Sequence, residues 1–444
     1  MSSSVLSYSS FSAFVLPERL WLRRVVDLAW PIGVSMLSYT GFLLVDGVLL
    51  ARYGTDAVAA AGLAMTWSFV ALALGTGVSR AVKVVAAQRT GARRMADVHA
   101  LATQSLWLAL LFGGPTAALA VFAGPLVRLV AEPGLAAVAL PSLQLRLLGA
   151  PVLLVACGLG AFLQARGRTR STMIAMVSSY AVTVVVELVL LDGLGPIPAM
   201  GPVGASLAAV VGWAVQAGIL LRSAWPSVRR SFAPNRALIR EVCVVGLPMG
   251  LHFVLDVASF AVFAGMLARV SNAELAGHVL AMRVNAVSFL PGYAIGEAGA
   301  VLVGQAIGAK RPWDGLAAWR SALALAVGVM AAWAVVFAAI PRVLLSIFDA
   351  GPDALEVAAT LLLVAAGFQV LDAVATVAYC TLAAAGDTRF AMVSAVAAAW
   401  IVKMPLAAWA IVSGDGALGA WLALSLEVAV LAVVGTWRVR RLLR

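Results

Sequence analysis

LARYGTDAVAAAGLA at residues 50–64 and LARVSNAELAGHVLA at residues 267–281 are two versions of one segment, offset by 217 positions. The same offset carries Pro31 onto Pro248 and AQRTGARR (87–94) onto GQAIGAKR (304–311). Later, GRTR (167–170) matches GDTR (386–389) and GPVGA (201–205) matches GALGA (416–420), with the offset drifting to 219 and 215. Small changes in loop length produce drift of that size. The chain is therefore read as a duplication: an N-terminal lobe at 1–222, a linker at 223–240 and a C-terminal lobe at 241–444.

What fills the repeats identifies their solvent. Of 444 residues, 63% are hydrophobic and 11% charged, with a mean hydropathy of +1.01. A soluble domain keeps about a quarter of its residues charged. This chain cannot cover its apolar surface with polar groups, so its solvent is lipid. A membrane helix needs about 20 mostly apolar residues. Runs of that length, broken by short polar punctuation, predict twelve spans, the first at 25–51 and the last at 416–438. The expected fold class is an all-α membrane protein: twelve transmembrane helices in two six-helix lobes, related by a pseudo-two-fold, with a central cleft. Six spans per repeat is an even number, so both lobes enter from one side and the axis lies along the membrane normal. A cleft between such lobes suits alternating access; the plain alternative is an ancestral duplication without a transport role.

A net charge of +11 raises the question of nucleic acid, and the placement of the charge answers it. With the N-terminus in the cytoplasm, the inner segments hold Arg23, Arg24, Arg89, Arg93, Arg94, Arg166, Arg168, Arg170, Lys310, Arg311 and the arginines at 438–444. The outer loops hold only Arg52, Arg128, Arg269 and Arg342. This is the positive-inside pattern. It predicts a multi-pass inner-membrane protein with both termini cytoplasmic, lipid headgroups as the only anionic partner, and no nucleic acid. The N-terminus, MSSSVLSYSSFSAFVLPERL, lacks a basic start before an apolar run, so no cleavable signal peptide is expected. Cys157, Cys243 and Cys380 fall inside apolar segments and read as thiols, not as a disulfide framework. His99, His252 and His278 form no ligand-like cluster.

Charges inside the spans carry the functional signal. Six acids fall there (Asp46, Glu187, Asp256, Glu297, Asp372, Glu427), as do five bases (Arg80, Lys83, Arg146, Arg283, Lys403). Each costs about 2.5–3.5 kcal/mol on insertion scales, so these groups must face the bundle interior or water. Many will simply pair and hold helices together. Desolvation favours the protonated form of an acid, so a carboxyl without a fixed partner can load and release a proton. It can equally hold Na⁺ or an organic cation. Competition for one carboxylate is the simplest chemistry of antiport. Thr183 and Glu187 are four residues apart, on one helix face. Arg80 and Glu297 occupy equivalent repeat positions, and a pseudo-two-fold would set their opposite charges across the lobe interface as an inner gate pair. Tyr39, Phe42, Trp67, Phe260, Phe289, Tyr293 and Tyr379 are candidate cleft walls, suited to amphipathic organic cations. Bases at 80, 83 and 403 would disfavour such cations and leave the substrate charge open, although Lys83 can snorkel. His252, one turn before Asp256, reads either as a packed neutral imidazole or as a tuner of that acid.

With these residues in place, the chain resembles the multidrug and toxic compound extrusion (MATE) transporters, in their NorM-like, DinF-like bacterial branch. The resemblance runs over nearly the whole length. It rests on LAWPIGVSML and VDGVLLARYGTDAVAAAGLA in the first two spans. In the second lobe it rests on GLPMGLHFVLD, AELAGHVLAMRVNAVSFLPGYAIGEAGAVLVGQAIGAKRP, FQVLDAVATVAY and AAGDTRFAMV. It implies twelve helices, two six-helix lobes, a V-shaped cleft, and export of organic cations and other drugs in exchange for H⁺ or Na⁺. It further implies that Asp46 is the N-lobe coupling acid. The family often carries Asn and Asp four residues apart on the fifth span, where this chain has Thr183 and Glu187. Asp256 and Asp372 are placed like the acid pair assigned to Na⁺. The expected function is thus cation-coupled antiport of small molecules by a monomer, with no cofactor beyond the coupling ion, no other metal and no catalytic residue. A flippase for lipid-linked sugars is the alternative, although such proteins commonly have fourteen spans. A membrane enzyme lacks its motifs here, with no HExxH, paired cysteines or GxGxxG, and a channel does not call for duplicated lobes.

Overall fold

A computed structural model describes residues 19–130, 132–196, 198–230 and 232–444. The stretch read above for a signal peptide lies almost wholly outside them. The described chain is helical, with no extended strand. In order the helices are α1 (Arg19–Ala51), α2 (Thr55–Gly91), α3 (Met95–Val130), α4 (Pro133–Leu148), α5 (Ala150–Ala165), α6 (Thr169–Asp192) and α7 (Pro202–Val228). The second half has α8 (Arg236–Ala268), α9 (Asn272–Gly308), α10 (Pro312–Ala339), the short α11 (Pro341–Leu345) and α12 (Pro352–Ala384). It ends with α13 (Thr388–Ala397), a π-turn (Ala398–Lys403), α14 (Met404–Val412) and α15 (Gly416–Leu442). Eleven of these helical stretches, counting α13 to α14 as one, are long and apolar enough to cross a membrane; α4 and α5, bent by 46°, together make a twelfth.

Two of the spans are interrupted, each next to a proline. Pro151 cannot donate to the carbonyl of Leu147 and its ring crowds it, which bends the fourth span where α4 meets α5. Pro405 has the same conflict with Ile401; there the backbone opens into the π-turn, which moves the registers of α13 and α14 apart and brings Lys403 to the bundle interior. Caps set other starts. The Asn235 side chain accepts from the amides of Ala237 and Leu238 at the head of α8, and Ser271 accepts from that of Glu274 at the head of α9.

The two halves exchange their first helices at the basic end of the bundle. Val25, Ala29 and Ile32 of α1 lie in a core with Ala298, Trp319, Met330 and Val377 of the second half. Leu238 and Val242 of α8 lie in the core of the first half, with Val82, Leu159, Phe162 and Leu220. The α2–α8 crossing is tight: a Cβ on Gly77 would overlap the backbone of Gly250, so only glycine fits. Helical structure also invades the expected linker, since α7 runs to Val228 and α8 starts at Arg236.

Candidate functional site

Between the halves lies a cavity of about 520 Å³, walled by α2, α8, α9, α12 and α13. Asp256, Asp372, Arg80, Glu297, Phe289, Tyr293 and Tyr379 line it, together with Lys83, His252 and Phe253. The expected Arg80–Glu297 pair is not the one formed. Glu297 makes its ion pair with Lys83. Arg80 turns to Phe253, 5.6 Å from the ring centroid, and to the Tyr293 hydroxyl at 3.5 Å. The reason is convergence: α2 and α9 close on each other toward Gly91 and Gly308, so the base one turn nearer that end meets the acid.

The closed end is built from the repeated motifs AQRTGARR and GQAIGAKR. The Gln88 amide donates to the Ala384 carbonyl at 2.8 Å, and its equivalent Gln305 donates to the Ala165 carbonyl at 2.9 Å. Both bonds cross from one half to the other and satisfy carbonyls at helix C-termini that have no intrahelical partner. A Cβ on Gly91 would overlap the Gln305 carbonyl, and one on Gly308 would overlap that of Gln88. Arg93 (φ 57°) and Lys310 (φ 55°) take the same left-handed turn beyond each contact. Arg89 adds an ion pair from α2 to Glu241 of α8 at 2.6 Å. At the opposite end of the N-terminal half, the Tyr53 hydroxyl donates to Asp192, which pushes its phenol pKa up.

A second polar site lies within the N-terminal half, apart from the cavity. The carboxyls of Asp46 (α1) and Glu187 (α6) adjoin each other, with the Arg146 guanidinium of α4 beside them. Asp46 Oδ1 and both Glu187 oxygens are buried and accept no hydrogen bond from any other described group. Arg146 spends its Nε on Ser206 at 3.1 Å. Thr183, expected to share a proton or cation with Glu187, does not reach it. Its hydroxyl donates back to the Ser179 carbonyl at 2.9 Å, the usual recourse of a threonine inside a helix.

The aromatic set divides. Phe289, Tyr293 and Tyr379 are on the cavity wall. Tyr39 and Phe42 instead meet Tyr180 of α6: Phe42 stacks on it at 5.3 Å and Tyr39 lies 5.8 Å from the same ring. Tyr180 was missed, yet its spacing to Thr183 and Glu187 marks one face of α6. Trp67 packs against the core of Ala60, Ala64, Ala123 and Leu143, and Phe260 sits against Lys403 in the C-terminal half.

In that half, Asp256 and Asp372 reach the same cavity from α8 and α12. Behind them is an ion pair the sequence reading did not assemble. Lys403 Nζ lies 2.9 Å from Glu427, with side chains 1% and 7% exposed. The same ammonium is 3.2 Å from the Ser259 hydroxyl and 4.4 Å from the Phe260 ring centroid. Ser259 in turn donates to the Asp256 carbonyl at 2.8 Å. The available signal was that Lys403 and Glu427 are opposite charges in successive spans. Among the described residues, no three His, Cys, Asp or Glu side chains are grouped to hold a metal ion.

The sequence profile of the MatE family matches residues 31–189 and 248–409, one block in each half. The chain belongs to the MATE family. A probable multidrug resistance protein NorM of Pseudomonas putida is 29% identical to it over 450 residues, covering 95% of this chain and 96% of that protein. One from Burkholderia pseudomallei is 30% identical over 446 residues, covering 97% and 95%. The multidrug resistance protein PmpM of Pseudomonas aeruginosa is 28% identical, covering 87% and 83%. Among solved structures, a multidrug resistance MATE transporter of the MOP superfamily in an outward-facing conformation superposes with a TM-score of 0.86, at 20% identity and covering 95% and 96% of the two chains. A MOP superfamily transporter from Pyrococcus furiosus gives 0.85 at 21% identity, with the same coverage. The twelve-span reading and the helical fold class therefore stand, and the protein is a multi-pass MATE transporter.

Proposed function

We propose that this MATE protein is a cation-coupled antiporter that exports amphipathic small molecules across the inner membrane by alternating access. The observation that carries the reading is the separation of two polar sites: a buried acid pair inside one half and a larger charged cavity between the halves. Two carboxyls in contact cannot both stay ionised, so Asp46 and Glu187 hold a proton between them. Arg146 balances the charge that remains. Losing that proton sets like charges against each other at the α1–α6 contact, and α1 is the helix whose first half packs into the other half's core. The proton thereby acts on the lobe arrangement without standing in the substrate cavity. Relatives that bear multidrug resistance names support drug-like molecules as substrates.

Asp256 and Asp372, on the cavity wall, are the second cation site, with H⁺ or Na⁺ as its ion. No cofactor is needed beyond the coupling ion. The basic end that carries Arg93 and Lys310 faces the cytoplasm with both termini, and the monomer is the working unit. The test is uptake into proteoliposomes driven by a pH gradient alone and by a Na⁺ gradient alone. Uptake under the pH gradient that vanishes in Asp46→Asn supports the reading. Uptake of equal rate in that variant at every pH defeats it.

A further inference from the structure

We propose that Arg80 is a substrate-recognition residue that takes an anionic group, a carboxylate, on the transported molecule. The cavity would then select amphipathic molecules that carry an acid rather than simple organic cations. This rests on the cavity being the substrate site of an exporter, as proposed above.

The charges on the wall carry the inference. Lys83 and Glu297 cancel each other in an ion pair. Asp256 and Asp372 stand on α8 and α12. Arg80 makes no ion pair with a carboxylate among the described residues; its contacts are the Tyr293 hydroxyl and the Phe253 ring. An arginine keeps its charge in any protein setting, so it cannot relieve an unpaired position by losing its proton. Such a charge at membrane depth is costly and is kept where a site uses it. Its five donors in a planar fork fit the two oxygens of a carboxylate.

The surroundings suit the rest of such a molecule. Phe253 lies under the guanidinium and is itself held by Phe69 at 5.0 Å between centroids. Phe289 and Tyr293, 5.6 Å apart, continue the aromatic wall on α9. A flat apolar body can rest on these rings while its acid meets Arg80. Asp256 and Asp372 remain free for an amine on the same molecule or for the coupling ion. A phosphate of a membrane lipid shares this chemistry, so the test has to separate lipid from solute.

Rhodamine B, which has a free carboxylate, and its ethyl ester, which does not, differ only in the group at issue. Binding of each to purified protein is measured by fluorescence polarisation in wild type, Arg80→Gln and Arg80→Lys. The same measurement is repeated with phosphatidylglycerol as competitor. Wild type is expected to favour the acid over the ester. Arg80→Gln should weaken the acid about tenfold or more, the loss of one charge-assisted pair, while leaving the ester unchanged. Arg80→Lys should recover part of the difference. Equal weakening of both dyes assigns Arg80 a structural role and overturns the proposal. So does a wild type that favours the ester or binds neither dye. Displacement of both dyes alike by phosphatidylglycerol makes lipid phosphate the occupant and also overturns it. Binding needs no ion gradient, so a protein that binds as expected yet exports neither dye fails the antiport reading and leaves the Arg80 site standing.

Discussion

The repeat puts Glu187 and Lys403 on the same turn of equivalent spans, because an offset of 216 falls between the 219 and 215 found on either side. Around them the two halves have taken opposite courses. In the first, Glu187 meets Asp46, and three of their four oxygens accept no hydrogen bond from any other described group. In the second, the counterpart of Asp46 is Phe263, 1% exposed in an apolar core, and Lys403 binds Glu427 directly. One half sets two acids side by side; the other sets a lysine of the chain against its acid. Duplication gave both halves one scaffold, and substitution at two positions set which carries a pair of acids and which an internal ion pair.

The largest expected effect comes from breaking the resident pair. Lys403→Met leaves Glu427 charged, 7% exposed and without a counter-charge, which costs about 3–5 kcal/mol. The thermal midpoint of the purified protein should fall accordingly. Replacing both partners, as Lys403→Met with Glu427→Leu, should restore most of the loss, because apolar groups of similar volume suit that site. A single variant as stable as wild type would show that the pair is solvated and the contrast between the halves is false.

The acid pair should behave in the reverse way. Asp46→Asn keeps the volume and offers an amide donor to Glu187, so stability should stay within about 1 kcal/mol of wild type. Proton-driven export should drop to the level of empty vesicles. Glu187→Gln should do the same. If either variant unfolds as Lys403→Met does while exporting normally when folded, the acid pair is structural.

How far the sequence foretold this depends on what each feature rests on. Hydropathy fixes the spans, because lipid demands about 20 apolar residues whatever the packing. The closed end was legible as the repeated AQRTGARR and GQAIGAKR, although not as a contact. The pairing of Glu297 was not legible. Arg80 and Lys83 are three residues apart on one face of α2, and only the convergence of α2 on α9 decides between them. Tyr39 and Phe42 were placed in the cleft because aromatic rings suit amphipathic organic cations, yet α1 turns them onto Tyr180. Thr183 was misread because its donor had a nearer acceptor, its own helix carbonyl. Each miss concerns which neighbour a side chain meets, and sequence spacing along one helix does not contain that.

The closed end is the part of the molecule where the halves stayed alike, and steric change there should be felt next most strongly. Gly308→Ala puts a Cβ into the Gln88 carbonyl, and Gly91→Ala puts one into that of Gln305. Overpacking of this kind costs about 1–3 kcal/mol, enough to shift a two-state equilibrium roughly 5- to 150-fold toward the form with this end open. Cys380 lies on the cavity wall and reports it. With Cys157 and Cys243 replaced by serine, maleimide labelling of Cys380 from the basic side should accelerate in both glycine variants. Unchanged labelling would mean that α2 and α9 do not part there.

The smallest effect is the most informative about symmetry. Gln88 and Gln305 each donate one amide hydrogen bond across the halves, at 2.8 and 2.9 Å, to a carbonyl at a helix end. Each bond contributes about 1 kcal/mol. Gln88→Ala and Gln305→Ala should therefore each accelerate Cys380 labelling from the basic side by about fivefold. If the two bonds break in the same opening, their energies add, and the double variant should show about twenty-five-fold. The two single variants should match, because each removes the same bond from an equivalent place, whereas no pair of equivalent substitutions at Glu187 and Lys403 can match. Unequal single effects would show that the halves also differ in the lock, with one crossing released before the other. A double variant no faster than either single would mean that the second bond is already broken once the first is lost, so the two form one cooperative latch.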